Sequence, residues 1–519
     1  MILRVRGASV NSVRPLFDIA ATRAIEQAAQ SKLPAHTLLQ RAGLSTAKLA
    51  LALAPHTDTF WIACGPGNNG GDGLEAAAHL KNWGKSPVVT WLGDPATAPA
   101  DSALSRQRAV DAGIRFADSP PAKFDFCVDA LLGIGASNHA SRRPIEGRLA
   151  TWVAQINSSS APVLAVDVPT GLNADTGDAS ALCVRATATL SLLTLKPGLF
   201  TAQGRDACGD IWFDALEDSN SQGAGSTGEP SAWLAGVPAR HTGNHASHKG
   251  SFGEVLVIGG AAGMTGAALL AATAALHFGA GRVFVMLLDG GSMTADSQQP
   301  ELMFRPFDDF NFADQLTTTF AHITFVCGCG GGTAVQRPLG AILASAANAV
   351  LDADALNAIA FDKSLSALLS KRAKRGLQTV LTPHPLEAAR LLETTTQQVQ
   401  QNRIASATAL AQQFNCTVVL KGSGTVVATP GQTPVINPTG NALLAIAGTG
   451  DVLAGMVGAR LAGLKGRSMT SGTTDFAAFQ AACEAVYLHG DLADRWPAQH
   501  ALTASRLARG IAKGVTRLD

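Results

Sequence analysis

At 519 residues the chain is longer than one core ordinarily fills, so two or more domains are expected. With 40 Lys+Arg against 39 Asp+Glu and no basic run, it lacks the charge field of a nucleic-acid or anionic-membrane binder. Charged residues make only 15% and hydrophobic ones 46%, aromatics are few and Gly numbers 53, a mix suited to Ala-rich helices on buried parallel strands.

In chain order, the N-terminal MILRVRGASVNSVRP has no apolar run before a small-residue cleavage site, so no secretory signal is expected. Helical periodicity follows over 18–30 (DIAATRAIEQAAQ) and 36–54. Short apolar runs then alternate with helical stretches: TFWIAC into GPGNNGGDG, PVVTWLG, FDFCVDA into LLGIGAS, APVLAVDVPTG, and ATATLSLLTLKPG. Such runs predict a parallel sheet covered on both faces, with ligands bound beyond the carboxyl ends of its strands. Asn68, Asn69, Asp72, Asp129 and Asp167 stand at three of those ends.

Ser, Gly, Asn and Pro crowd 217–247 and both periodicities lapse there. This divides the chain into a domain over 1–220, a linker over 221–240 and a domain over 241–519. In the second domain FGEVLVIGG, RVFVMLL, HITFVCG, NAVLDADALNAI and QTVLTPHPLEAARLL repeat the strand–helix logic, and CTVVLKGSGTVVA with PVIN reads as a hairpin. The apolar stretch 266–281 is shorter than a bilayer span and is expected to be a core helix. The fold class expected is α/β, with two doubly wound domains in a soluble, cytoplasmic protein. Eight scattered Cys, including Cys327 and Cys329, read as buried free thiols.

Two glycine-rich loops carry the chemistry. Residues 64–73, CGPGNNGGDG, satisfy G-x-G-x-x-G through Gly65, Gly67 and Gly70, the fingerprint of a dinucleotide turn. With Asp94 as a ribose-binding acid, this turn would suit an oxidoreductase, but the paired Asn68 and Asn69 and the trailing Asp72 are not explained by it. In AGTGD (447–451), Gly448, Thr449 and Gly450 open an apolar helix whose N-terminal N–H groups suit a phosphoryl group. Asp451 beside them could take a proton from a hydroxyl while phosphoryl charge develops, or could simply cap the helix. No P-loop sequence G-x-x-x-x-G-K-[ST] accompanies these turns.

The ordered segments HKGSFGEVLVIGGAAGMTGAALLAATAALHFGAGRV, LDADALN, LTPHPLEAARLL, KGSGTVV and NPTGNALLAIAGTGDVLAG resemble the ADP/ATP-dependent NAD(P)H-hydrate dehydratase family, of ribokinase-like αβα fold. GPGNNGGDG, DALLGIG and DVPTGLNADTG resemble the NAD(P)H-hydrate epimerase family, whose fold is Rossmann-like three-layer αβα. Together they cover nearly the whole chain in the order of the bifunctional bacterial repair enzymes. The resemblance departs at GCGGG (328–332), where the family often has GPGLG, and at PHPLE, where it often has PHPGE.

The resemblance implies a first domain that interconverts R and S hydrates of NADH and NADPH, and a second that dehydrates the S form at the expense of ADP. In the first it implies hydrate contacts from Asn68, Asn69, Gly70, Gly71, Asp72, Gly133, Ile134, Gly135, Ala136, Ser137, Asn138, His139 and Asp167, with Asp167 as acid/base. It implies K⁺ held by Asn69, Asp129 and Thr170. In the second it implies Asp451 as catalytic base, hydrate contacts from Ala267, Gly332 and His384, and ADP contacts from Lys421, Gly422, Ser423, Gly424, Thr425 and Gly450. Mg²⁺ would accompany ADP, with Glu387 placing it through water. The partners implied are these small molecules and other copies of the chain in a homo-oligomer, with neither nucleic acid nor membrane. The alternatives are a small-alcohol kinase in the second domain and a non-catalytic binding module in the first.

Overall fold

A computed structural model describes residues 1–5, 13–136, 145–216, 228–239, 245–307, 322–464 and 475–515. The chain falls into two compact units, parting between Trp233 and Leu234. Residues 217–227 of the expected joint lie outside the described residues, whereas Ala232–Leu234, within the expected linker, is a strand.

The strands of the first unit are β1 (Leu3–Val5), β2 (Arg14–Leu16), β3 (Thr59–Cys64), β4 (Ser86–Trp91), β5 (Arg115–Phe116), β6 (Phe126–Ala130), β7 (Val163–Val166), β8 (Ala188–Leu192) and β9 (Asp210–Asp214). Eight of them form one sheet, ordered β1-β9-β8-β7-β6-β3-β4-β5, parallel except for β1 against β9. Period-two alternation explains why TFWIAC is apolar throughout. Phe60, Ile62 and Cys64 enter one core with helices Thr37–Leu53 and Asn68–Asn82, while Trp61 and Ala63 enter the opposite core with Trp152 and Ile156.

After β10 (Ala232–Leu234), the second unit contributes β11 (Glu254–Gly259), β12 (Arg282–Leu287), β13 (Met303–Phe304), β14 (Thr324–Cys327), β15 (Asn348–Leu351), β16 (Gln378–Leu381), β17 (Thr417–Leu420), β18 (Val426–Ala428) and β19 (Val435–Ile436). These nine run in the order β13-β12-β11-β14-β15-β16-β17-β18-β19. Pairing is parallel from β13 to β17; β18 and β19 are antiparallel additions, so the expected hairpin is present. Val255, Val257, Val283 and Val285 share a core with the helices Thr265–His277, Thr449–Leu464 and Ala504–Val515. The stretch expected as a core helix, 266–281, accordingly supplies the buried Ala268, Ala271, Ala272 and Ala275. Among the described residues no helix is long and apolar enough to cross a membrane.

Both units reverse strand order once, between β3 and β6 and between β11 and β14. Each reversal parts the loops at the strands' carboxyl ends, and this is where ligands enter doubly wound sheets.

Candidate active sites

Beyond β3 and β6 the first unit opens a cavity of about 980 Å³. β3 turns at Gly67 directly into helix Asn68–Asn82, so NNGGD is that helix's first turn and not loop. A Cβ on Gly70 would overlap the Gly65 carbonyl, and one on Gly65 would overlap that of Leu131. Two of the three fingerprint glycines thus serve backbone packing at a strand–helix turn. Asp94, the residue an oxidoreductase would need, instead accepts from Ala96 N in its own turn (2.9 Å) and lies outside the cavity lining.

Asn68, Asn69, Asp72, Gly133, Ile134, Gly135 and Asp167 line the cavity. Gly70 and Gly71 are buried and do not line it, and Ala136 ends the short turn Ile134–Ala136. Ser137, Asn138 and His139 lie outside the described residues.

Asp129 is fully buried in β6. It accepts from Thr170 Oγ1 (2.7 Å), Thr170 N (2.9 Å) and Leu131 N (3.2 Å). Burial still pushes its carboxyl up to about 6. Among the described residues no ion pair supplies it with a cation, and Asn69 Nδ2 is buried without a hydrogen-bond partner. A carboxylate, a hydroxyl and an amide at the ends of neighbouring strands make an oxygen-rich donor set that suits a hard cation.

Asp167, just past β7, has a left-handed backbone (φ +66°). Its carboxylate accepts from Lys196 Nζ and from Leu192 N (3.2 Å). Lys196 is 0% exposed, and its ammonium also donates to Leu192 O (2.7 Å) and Thr194 O (3.0 Å). With Ser191 Oγ as a fourth acceptor at 3.4 Å, its three protons are all taken up. Sequence reasoning passed over Lys196, although a lysine closing an apolar strand run (LTLKPG) signals a buried charge in need of a partner. It also passed over Glu26, which lines the cavity from helix Ile19–Gln30 one turn after the buried Thr22. Burial, then the Asp167 charge, raise Glu26; burial, then Asp167 and Glu26, raise Asp72 well above the usual carboxylate range.

In the second unit the carboxyl ends of β14, β15, β16 and β17 carry Cys329, Asp352, Thr382–Glu387 and Lys421. Helix Thr449–Leu464 completes the group with Asp451 in its first turn. Gly448 has φ +92°, and a Cβ there would stand 2.7 Å from Leu270 Cδ1 and 2.8 Å from Ala504 Cβ, so both backbone and space demand glycine. The buried His489 ring meets the Thr449 carbonyl at 3.0 Å and pins this turn; burial holds its pKa down to about 4, so it stays neutral.

Asp352 is the third residue that sequence reasoning missed, though LDADALN contains it. It is 1% exposed and accepts from Lys421 Nζ (2.6 Å) and Thr382 Oγ1 (2.8 Å). Lys421 therefore reaches inward, and a Cβ on Gly450 would lie 3.3 Å from its Nζ. Burial opposes the Lys421 charge, but Asp352 and Glu387 outweigh it and raise the pKa. Arg403, fully buried, donates to the carbonyls of Leu420 and Lys421 (3.0 Å each) and fixes where the Lys421–Thr425 turn begins. Thr425 Oγ1 closes that turn on Gly422 O (3.1 Å), with Ser423 and Gly424 between them.

Cys329, Asp352 and Asp451 offer ligand atoms within 4.8 Å of one another. Burial and the Asp352 charge push Asp451 up to about 6, against the opposing effect of Cys329 and Lys421. Cys329 is, as expected, a buried free thiol, and burial raises its pKa well above the ordinary value.

His384 caps helix Pro385–Leu391: Nδ1 accepts from Leu386 N (3.1 Å) and Glu387 N (3.2 Å), and Glu387 returns the bond to His384 N (2.8 Å). Glu387, pushed up to about 7 by burial, is thus engaged in a capping box. Lys421 N donates to Pro383 O (2.9 Å), joining this turn to β17. Gly332 N donates to Asp354 Oδ2 (2.8 Å), and a Cβ on the nearby Gly330 would stand 2.8 Å from that of Ala267. Ala267 and the 330–332 turn are thus brought together at the strand-order reversal.

Residues 255–515 match the family model of NAD(P)H-hydrate dehydratase, and residues 35–198 match that of the YjeF-related protein N-terminus. The Escherichia coli protein named bifunctional NAD(P)H-hydrate repair enzyme Nnr is 34% identical over 475 residues, covering 89% of this chain and 85% of that protein. A Leishmania braziliensis bifunctional NAD(P)H-hydrate repair enzyme is 33% identical over 517 residues, covering 93% and 88%. Among solved structures, ADP/ATP-dependent NAD(P)H-hydrate dehydratase from Bacillus subtilis, co-crystallized with ATP/Mg²⁺, is 29% identical, covering 54% of this chain and 95% of that one with a TM-score of 0.42. With both family models matched in order, and relatives above 30% identity along most of either chain, this chain belongs to the family of bifunctional NAD(P)H-hydrate repair enzymes.

Proposed function

We propose that the two units carry out successive steps in the repair of hydrated nicotinamide dinucleotides. The first interconverts the R and S hydrates of NADH and NADPH. The second returns the S hydrate to NADH or NADPH with ADP as phosphoryl donor, releasing AMP and phosphate. The observation that carries the reading is Asp451, a carboxyl pushed up to about 6 beside Lys421 at a glycine-led helix N-terminus.

In the dehydratase, Asp451 takes the hydroxyl proton of the hydrate, and the alkoxide attacks the β-phosphoryl group of ADP. The N–H groups of the Gly448–Gly450 turn face the charge that develops, and Lys421 adds a cation beside them. The phosphorylated hydroxyl then departs as phosphate, and loss of the neighbouring ring proton restores the double bond. Asp352 orients Lys421. Mg²⁺, where bound with ADP, would neutralise phosphate charge; Asp352 and Glu387, whose charges both bear on Lys421, are the carboxylates that would hold it, through water since each is already hydrogen-bonded.

In the epimerase, Asp167 faces the hydrated ring as acid/base, oriented by Lys196. K⁺ fits the oxygen donors of Asp129, Thr170 and Asn69 Oδ1, where it would balance the buried Asp129 charge. Its contribution would be to fix the loops after β3, β6 and β7 around the substrate.

The test is the product balance from S hydrate, ADP and Mg²⁺. NADH, AMP and phosphate are expected in equal amounts. A stable phosphorylated compound without NADH would replace this reading by that of a small-alcohol kinase built on the same turn.

A further inference from the structure

The epimerase cavity holds more acid than one base requires. Glu26, Asp72 and Asp167 all line it, together with one ammonium, Lys196. That ammonium is committed to Asp167, Leu192 O, Thr194 O and, at 3.4 Å, Ser191 Oγ, which leaves no proton of Lys196 for Glu26. The other charges bearing on Glu26 are Arg23 on its own helix, Asp101 at the cavity wall and Asp72, whose carboxyl Glu26 itself raises. Asp167 is held by the lysine ammonium and Glu26 lines the same cavity without a bond from it, which divides these two carboxyls into a proton acceptor and a proton donor.

We propose that Glu26 is the proton donor of this cavity, working opposite Asp167 on the hydrated ring, an assignment that rests on the epimerase reading. Water added across an enamine double bond leaves its hydroxyl on the carbon bonded to nitrogen, a hemiaminal. Asp167 removes the hydroxyl proton, the O–H pair becomes the second C–O bond, and the C–N pair moves to nitrogen. Glu26 delivers its proton to that nitrogen, leaving an open aldehyde and an amine. Rotation about the adjoining C–C bond presents the other face of the carbonyl. Nitrogen then adds back, returning its proton to Glu26, while Asp167 returns its own to oxygen. Nothing is consumed. Burial, then the Asp167 charge, raise Glu26 against Lys196 and Arg23 and so favour the protonated form that a donor needs.

The experiment uses the full chain with purified R hydrate, ADP and Mg²⁺, where NADH formation is limited by epimerisation. Glu26→Gln is expected to slow this at least about 100-fold. The alkaline fall of the wild-type pH profile, which reports Glu26 losing its proton, should vanish from the residual rate. Glu26→Asp should restore part of the rate and the alkaline fall with it. The same Glu26→Gln preparation should convert S hydrate at the wild-type rate. A wild-type rate with R hydrate, or a slow variant that keeps the alkaline fall, overturns the assignment and turns attention to Asp72. Wild-type protein that leaves R hydrate at its spontaneous rate sinks the epimerase reading itself, an outcome distinct from failure at Glu26 alone.

Discussion

Asp451 was legible in the sequence because its whole local apparatus, AGTGD before an apolar helix, is contiguous. Its partners were not. Lys421 and Asp352 are 69 positions apart and meet only because β15 and β17 flank β16 in one sheet. The sequence placed Lys421 in a nucleotide-contacting segment and passed over Asp352, whereas the fold joins them near Asp451. A base must be ionised to act, and the Asp451 carboxyl is pushed up to about 6. The rate of S-hydrate dehydration should therefore fall as pH drops through about 6 and level off above it, once ADP ionisation is controlled with a second phosphoryl donor. Asp451→Asn should remove that limb and lower kcat by about 100-fold or more. A variant that keeps both rate and limb would take the role away from Asp451.

The elements themselves followed the apolar periodicity closely: TFWIAC is β3 over the same six residues, and DIAATRAIEQAAQ is a helix from Ile19 to Gln30. NNGGD departs because helix geometry begins at the glycine-flanked Asn68 in spite of two glycines that weaken it. Packing explains this: Gly70 must sit against the Gly65 backbone, which side chains would prevent. The ends of β3, β6 and β7 also yield a prediction about K⁺. The Asp129 carboxyl is raised to about 6, so the folded state binds a proton more tightly than the unfolded chain does. Stability is therefore lost as pH rises from about 3.8 to about 6 and stays lost above that, where a cation beside the ionised Asp129 recovers it. Replacing K⁺ by tetramethylammonium should lower the Tm of the full chain at pH 7.5 and leave it nearly unchanged at pH 5. Equal Tm values in both cations at pH 7.5 would sink the K⁺ assignment.

At the scale of the molecule, two units each reverse strand order once and each gather charged side chains beyond the carboxyl ends of their parallel strands. The division of labour was readable from two ordered sets of motifs, whereas the epimerase acid was not. Glu26 lies on a helix whose periodicity marks its face but not the cavity that face meets. The central claim is that one chain performs both steps, and a time course with an equilibrated mixture of R and S hydrates, excess ADP and Mg²⁺ addresses it most directly. The full chain is predicted to convert the entire mixture to NADH at a rate well above spontaneous epimerisation. Asp167→Asn should instead show a fast phase equal to the S fraction, followed by a slow phase at the spontaneous rate. A wild-type time course that itself stops at the S fraction, or yields no NADH, would contradict the claim.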